Sequence, residues 1–170
     1  EAIHWSVSAD WFDPATGNAG ALGWFCLSVL HDALLKPMPE GTYTPCLAES
    51  YTMSPDARIF EFKLRKGVKF HNGDTMTAED VVFSWTRYKA MQAKFLSDMT
   101  EKVEAVDPYL VRFRFKKPFP DFLEYFVIGG TTAGWIVPKK YVEKVGEVGY
   151  KQNPVGAGPY KYVEFVPGVK

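Results

Sequence analysis

Residues 66–85 read KGVKFHNGDTMTAEDVVFSW, and this stretch contains the local signals that decide the fold around it. Val68 and Phe70 stand on either side of a lysine, an alternation typical of an extended strand. Asn72-Gly73 follows, a dipeptide that favours a tight turn because both residues tolerate a positive φ. The stretch has no nucleophile, phosphate loop or set of metal ligands, so catalysis does not explain its order.

A helix is predicted directly after this turn. Thr77, with Asp80 three residues later, resembles a capping box, in which the two residues bond each other's backbone amides. The apolar residues Val81, Trp85 and Tyr88 then recur at helical spacing. We therefore expect one face of this helix to pack on a core.

Two β-hairpins are predicted on either side of the stretch. Within residues 47–65 a Ser-Pro-Asp turn separates two extended pieces, and within residues 102–115 an Asp-Pro-Tyr turn does the same. In both hairpins apolar and charged residues alternate after the turn, which is typical of a half-buried antiparallel strand. The residues that we expect to be buried are Phe60, Phe62, Leu64, Val111, Phe113 and Phe115.

The rest of the chain gives longer-range predictions. Residues 3–8 read IHWSVS and favour a strand, and residues 19–36 are apolar almost all round, which favours a buried helix ended by prolines. Residues 37–45, PMPEGTYTP, hold three prolines and a glycine, so we predict a break in regular structure and a boundary between two subdomains there. Residues 160–166 alternate again and predict a strand.

Composition limits the classes of partner. The chain has 20 basic and 20 acidic residues and no run of five like charges, which argues against nucleic acid and favours a small neutral or zwitterionic ligand. The most apolar run, residues 19–35, is too short and too polar to span a membrane. Residues 1–17 lack the basic start of a secretory signal, so in an exported protein the signal would already be removed.

The two cysteines leave two alternatives open. Cys26 and Cys46 form no CxxC pair, and no histidine lies at zinc-finger spacing, so metal binding is the poor interpretation. In an exported chain they could form a disulfide, and otherwise they would be buried thiols.

No enzyme mechanism can be assembled from the remaining motifs. The glycines of residues 17–23 do not fit GxGxxG, and no serine lies in GxSxG. The three histidines, His4, His31 and His71, form no metal-binding or catalytic pair, so we expect surface or core positions for them. We predict no catalytic residue, no metal and no cofactor.

Two segments remain as candidates for ligand contact. Trp11 and Phe12 belong to a loop just past the end of the first predicted strand, where α/β sheets place ligands. Residues 126–135, FVIGGTTAGW, have paired threonines between glycine-bearing turns, which could offer hydroxyls and backbone amides. The alternative for both segments is a core or plain loop role.

Residues 45–88, PCLAESYTMSPDARIFEFKLRKGVKFHNGDTMTAEDVVFSWTRY, resemble the hallmark run of the extracytoplasmic solute-binding proteins of ABC importers, in the family 5 group that captures peptides, nickel complexes and related solutes. Four further motifs support the resemblance, so that it covers nearly the whole chain: WFDPATG at residues 11–17, KKPFPDFLEYF at 116–126, IVPKKY at 136–141 and NPVGAGPYKYVEF at 153–165.

The resemblance implies a mixed α+β chain of the α/β class, equivalent to the first lobe of a two-lobed periplasmic-binding-protein type II fold. Residues 1–45 and 155–170 would belong to the main subdomain with a mixed sheet. Residues 46–154 would form an additional subdomain with a small antiparallel sheet, and the second lobe would be absent. Residues 66–85 would then be scaffold.

The resemblance also implies where solute is contacted, namely the loop after the first strand and the strip before IVPKKY. The residues in question are Trp11, Phe12, Asn18, Trp24, Gly130, Thr131, Thr132 and Gly134. Some relatives carry an arginine in the second strip that meets an anionic ligand group. Glycine and threonine stand there in this chain, which favours a neutral or sugar-like ligand.

The implied mechanism is capture by closure of two lobes, followed by delivery to a membrane permease, without covalent chemistry. The expected partners are a small-molecule or peptide solute and an ABC permease, not nucleic acid, and the expected state is a monomer in the periplasm or another extracytoplasmic space. Two rival functions are a stand-alone binding module on the same scaffold and a hydrolase using Glu49, His71 or Asp74.

Overall fold

The structure, a computed structural model, describes residues 12–16, 21–38, 41–89, 92–126 and 133–164. The helices are α1 (Ala21–Leu30), α2 (Ala78–Arg87), α3 (Ala93–Met99), α4 (Phe122–Phe126) and α5 (Lys139–Gln152), and a 3-10 turn lies at Pro14–Thr16. The strands are β1 (Leu35–Met38), β2 (Gly41–Pro45), β3 (Ala48–Met53), β4 (Ile59–Leu64), β5 (Thr100–Asp107) and β6 (Leu110–Phe115). This mixture confirms the predicted α+β class.

Both predicted hairpins are present and pair with each other. Strands β3 and β4 form the first, β5 and β6 form the second, and the antiparallel sheet runs in the order β3-β4-β6-β5. Phe60 lies opposite Phe113, and Phe62 lies opposite Val111, across the central pair of strands. The alternation in the sequence therefore places the apolar residues of both central strands on one face.

The core lies on this face of the sheet. All six residues predicted to be buried there are at most 1% exposed. Helix α4 places Phe122 over them, and its ring lies 4.7 to 5.3 Å from the rings of Phe115, Phe113, Phe60 and Phe126. Val81 and Trp85 of α2 pack against the same cluster, as their spacing predicts.

The start of α2 confirms the predicted capping box. Thr77 precedes the helix in an extended conformation, and its backbone N–H donates to Asp80 Oδ2 at 2.8 Å. The other oxygen of the same carboxylate accepts from the N–H of Lys139 at 2.8 Å, at the first residue of α5. One buried carboxylate therefore caps the starts of two helices.

The helix predicted over residues 19–36 is wrong in its C-terminal third. Helix α1 ends at Leu30, and its last carbonyls accept bonds from Gly158 N–H (3.0 Å, to Leu30) and Tyr160 N–H (2.9 Å, to Val29). These bonds replace the helical partners that the next turn would have supplied.

The predicted break over residues 37–45 is also wrong, because Leu35–Met38 pairs with Gly41–Pro45 as an antiparallel two-stranded sheet. Prolines are tolerated in strands at an edge, and this small sheet consists of two edges. The strand predicted over residues 160–166 is absent over its described part, residues 160–164. The strand predicted at residues 3–8 lies outside the described residues, and the division at residues 45–46 and 154–155 stays a prediction.

Candidate functional site

The structure describes two of the eight predicted contact residues in full, Phe12 and Gly134. Trp24 lies in α1, but its side chain is outside the described part of the chain. The others that lie outside the described residues are Trp11, Asn18, Gly130, Thr131 and Thr132.

Phe12 is half-buried and its backbone is fixed by a histidine. Its carbonyl oxygen lies 3.0 Å from Nε2 of His31, which must donate because a carbonyl only accepts. His31 is fully buried just past the end of α1, and burial lowers the pKa of its imidazole to about 4. The ring of Phe12 packs on Tyr162, with centroids 5.6 Å apart. Of the two positions expected for the histidines, surface or core, His31 occupies the core.

The next residue of the loop, Asp13, pairs with α2. Arg87 donates to both oxygens of the Asp13 carboxylate, at 3.3 and 2.9 Å. Glu147 of α5 accepts two further bonds from the same guanidinium, at 3.1 and 3.0 Å. The hydrogen bond from Arg87 lowers the pKa of the Glu147 carboxyl. The loop is therefore bonded to His31, just past the end of α1, through Phe12 and to α2 through Asp13.

Gly134 approaches the same region from the other predicted strip. A Cβ atom on Gly134 would lie 2.0 Å from the carbonyl oxygen of Phe126 and 3.5 Å from the Cβ of Ala33. Trp135 forms a bridge with Ala33, and Ile136 N–H donates to the carbonyl of Asp32 at 3.1 Å. Close backbone packing thus explains the glycine, and its contact with solute stays a prediction.

The described parts of the two predicted contact segments both touch residues 31–33. His31 bonds Phe12, and Ala33, two residues further on, packs against Gly134 and Trp135. The sequence does not reveal this segment, because its apolar pattern predicts that the helix continues through residues 31–33. A continued helix would point these residues in different directions, whereas the irregular backbone after Leu30 places His31 against Phe12 and Ala33 against Gly134 and Trp135.

An apolar cleft of about 590 Å³ opens beside Phe12. Its volume lies within the range of small-ligand sites. Three of its apolar side chains are well exposed: Phe25 (59%), Tyr160 (67%) and Val163 (87%). The lining residues are Phe12, Phe25, Cys26, Val29, Leu30, Tyr160, Lys161, Tyr162, Val163 and Glu164. Aromatic and aliphatic walls with one cation and one anion suit an apolar or zwitterionic guest.

The two cysteines do not form a disulfide in the structure. Cys26 and Cys46 are both free thiols and half-buried, which corresponds to the second of the two alternatives left open by the sequence. Burial raises the pKa of both thiols, which lowers their reactivity. Among the described residues, no three His, Cys, Asp or Glu side chains form a group that could hold a metal ion.

The residues of the hydrolase alternative have structural partners. Glu49 pairs with Lys63 at 3.3 Å on the sheet, His71 bonds the carbonyl of Gly158 at 2.9 Å, and Asp74 accepts from Asn72 at 2.8 Å. None of these bonds aligns a nucleophile with a base. Within the described residues, no helix is both long and apolar enough to cross a membrane.

The structure thus combines an aromatic core on a small antiparallel sheet with a hydrogen-bonded loop beside an open apolar cleft. The profile of the bacterial extracellular solute-binding proteins, family 5 Middle, matches residues 42–170, which is more than half of the chain. The chain belongs to this family.

Three relatives illustrate the likeness. The di/tripeptide-binding protein 2 of Pseudomonas aeruginosa is 29% identical and aligns with 96% of this chain and 35% of its own length. The periplasmic oligopeptide-binding protein OppA of Haemophilus influenzae is 33% identical, over 81% of this chain and 29% of its own length. The structure of MoaA from A. tumefacien R10 with mannopinic acid superposes with a TM-score of 0.81 at 30% identity, over 92% of this chain and 33% of that one.

The superposition confirms the predicted fold, since MoaA and OppA are binding proteins of the predicted type. The family and these named members are binding proteins rather than enzymes. The chain spans about a third or less of the length of the relatives described here.

Proposed function

We propose that this chain is part of the extracytoplasmic substrate-binding component of an ABC transporter, where it captures a small solute without transforming it. Membership of the family 5 solute-binding proteins over residues 42–170 is the observation that supports this function. The aromatic cleft beside Phe12 is a suitable surface for solute contact, because ligand sites are mostly apolar and concave.

The solute is a small peptide, an opine, a sugar or a related compound. Relatives named for di- and tripeptides and for oligopeptides, and MoaA bound to mannopinic acid, support the first two classes. Residues 126–135 contain no arginine. This segment therefore has no guanidinium that could bind an anionic group in a bidentate manner, which favours a neutral or zwitterionic solute.

Capture proceeds by closure of a two-lobed clamp, in which this chain supplies the first lobe and the loaded form meets an ABC permease. Closure requires only that solute binds the closed arrangement more tightly than the open one. The protein works as a monomer in the periplasm or another extracytoplasmic space, after removal of a signal peptide, and it uses no cofactor and no catalytic residue.

Isothermal titration calorimetry tests the proposal on the protein as its gene encodes it, with dialanine, trialanine, mannopinic acid and a neutral disaccharide as probes. Saturable binding of one probe class, recovered unchanged by mass spectrometry, is expected. Binding by the 170-residue chain alone should be weaker by about 100-fold or more, because one wall of a closed site buries far less of the ligand. Turnover of a probe, or no binding of any class, would contradict the proposal.

A further inference from the structure

We propose that Arg87 is a positioning residue. It holds residues 12–16, here called the Phe12 loop, in the conformation that binds solute, and it does so from the side of the loop that faces away from the cleft. The inference rests on the proposed function in one respect, since it takes this loop to contact solute. Arg87 itself lies at the last turn of α2 and does not line the cleft.

Arg87 and Asp13 form a buried, bidentate ion pair. Asp13 is 0% exposed and Arg87 is 6% exposed, and two parallel N–H···O bonds of 3.3 and 2.9 Å join them. A carboxylate that is shielded from water in this way needs a charged, well-oriented partner. The planar guanidinium fits the planar carboxylate in one orientation, so the pair fixes the direction of the loop and not only its distance.

Two further hydrogen bonds, next to the Arg87–Asp13 pair, hold the loop in place. Asp13 Oδ1 also accepts from the N–H of Ala15 at 3.0 Å, which shapes the 3-10 turn that follows. Lys89, just past the end of α2, donates its N–H to the carbonyl of Ala15 at 3.0 Å. Arg87 at the end of α2 therefore bonds Asp13, the direct neighbour of Phe12, and Lys89 just after the helix bonds Ala15.

Arg87 is itself held in place from α5. Gly146 has a φ of 73° and interrupts α5, and Glu147 directly after this break bonds Arg87 at 3.1 and 3.0 Å. The guanidinium also lies over the rings of Tyr150 (5.2 Å) and Phe83 (5.8 Å). A lysine could not form both forks and both ring contacts, because its ammonium is a compact point charge.

The consequence for binding follows from the position of Phe12. His31 holds the carbonyl of Phe12 on one side, and Arg87 holds the neighbouring Asp13 on the other. Loss of the Arg87 fork removes the charged anchor next to Phe12, while the sheet core, which α2 contacts through Val81 and Trp85, keeps its packing. Solute affinity should therefore fall more than global stability does.

The test compares Arg87→Lys and Glu147→Gln with a matched control, Arg112→Lys. Arg112 pairs with Glu61 on the sheet, away from the loop, so the control removes an arginine–carboxylate contact that is partly exposed and involves one oxygen of Glu61. The readouts are hydrogen–deuterium exchange of the backbone at residues 12–16 and 59–64, and calorimetric affinity for the probe that the natural protein binds.

For Arg87→Lys we expect exchange at residues 12–16 to rise about tenfold or more with residues 59–64 unchanged, and affinity to fall about tenfold or more. Glu147→Gln should show smaller changes of the same kind, and Arg112→Lys should show neither. Equal rises in both segments, or unchanged exchange at residues 12–16, would overturn the inference. If the natural protein binds no probe, the proposed function fails, and exchange alone still decides whether Arg87 fixes the loop.

Discussion

The Nε2 atom of His71 lies 2.9 Å from the carbonyl oxygen of Gly158, which is 87 residues further along the chain. The backbone N–H of His71 also donates to the carbonyl of Gly156 at 2.9 Å. Gly158 in turn donates its N–H to Leu30, at the end of α1. Residues 66–85, which the sequence predicts as scaffold, thus fix the loop that closes α1 and borders the apolar cleft.

Replacement of His71 by alanine should loosen this loop, because the side-chain bond to Gly158 is lost while the backbone bond to Gly156 remains. The carbonyl of Gly158 loses a half-buried donor, so the free energy of unfolding should fall by about 1–2 kcal/mol. Urea denaturation measures the loss, and hydrogen exchange at Gly158 and Tyr160 should rise in parallel. Lys117→Ala, at an exposed position before α4, is the control and should change stability by less than about 0.5 kcal/mol. Equal stability of both variants would show that His71 does not anchor the loop.

A methyl group at Gly158 should be tolerated poorly because the loop touches the end of α1 directly. Its Cβ would lie 2.6 Å from the carbonyl carbon of Leu30 and 2.7 Å from the carbonyl oxygen of Val29, both backbone atoms. Gly158→Ala should therefore cost about 2 kcal/mol or more, from the displaced loop and its lost bonds.

Gly41→Ala is the matched comparison for this substitution. The nearest atom to a Cβ at Gly41 is the Thr44 hydroxyl at 3.7 Å, an ordinary contact. The change should leave the thermal midpoint within about 2 °C of that of the natural chain. A Gly158→Ala variant as stable as Gly41→Ala would mean that the loop moves away from α1 without cost.

The sequence predicts the antiparallel sheet and α2 well because their signals are local. The alternation of Phe60, Phe62 and Leu64 needs only a period of two, and the Thr77–Asp80 box needs only a spacing of three. Core burial then follows from the pattern alone. That Asp80 also caps α5 was not predictable, since Lys139 lies 59 residues away.

The errors at residues 31–45 have a different physical origin. Prolines at 37, 39 and 45 signal a break, but two strands that are both edges can accept them. The end of α1 depends on backbone bonds from Gly158 and Tyr160, which no local propensity encodes. The same limit applies to the site, because Asp13 and Arg87 lie 74 residues apart and Asp13-Pro14 has the local signature of a turn.

The shared cap at Asp80 gives a prediction about two helices at once. Asp80→Ala removes the acceptor for Thr77 N–H and for Lys139 N–H, so it should cost about 2–3 kcal/mol, near the sum of two lost caps. Its neighbour Glu79 forms only an exposed pair with Lys139, so Glu79→Ala should cost about 0.5 kcal/mol or less. Chemical denaturation of the two variants separates capping from surface charge, and similar losses would refute the shared cap.

Stability should depend on pH through His31. Burial lowers its pKa from 6.5 to about 4 in the folded chain. The Phe12 carbonyl and Asp13 oppose this shift by raising the pKa, whereas the positive charges of His71 and Arg87 lower it further. Between pH 6.5 and 4 the unfolded chain therefore binds a proton that the folded chain does not. The free energy of unfolding falls as the pH is lowered through this window, by about 3 kcal/mol in total.

His31→Gln isolates this contribution, because an amide can still donate to Phe12 but does not titrate. Carboxylates such as Glu147, whose pKa Arg87 lowers, lose their stabilising effect in the same acidic direction, so the natural chain alone would mix the two causes. Urea midpoints at pH 4, 5, 6 and 7 should decline more steeply for the natural chain than for the variant, with the difference confined to values below about pH 6.5. Parallel curves would contradict the lowered pKa of His31 in the folded chain.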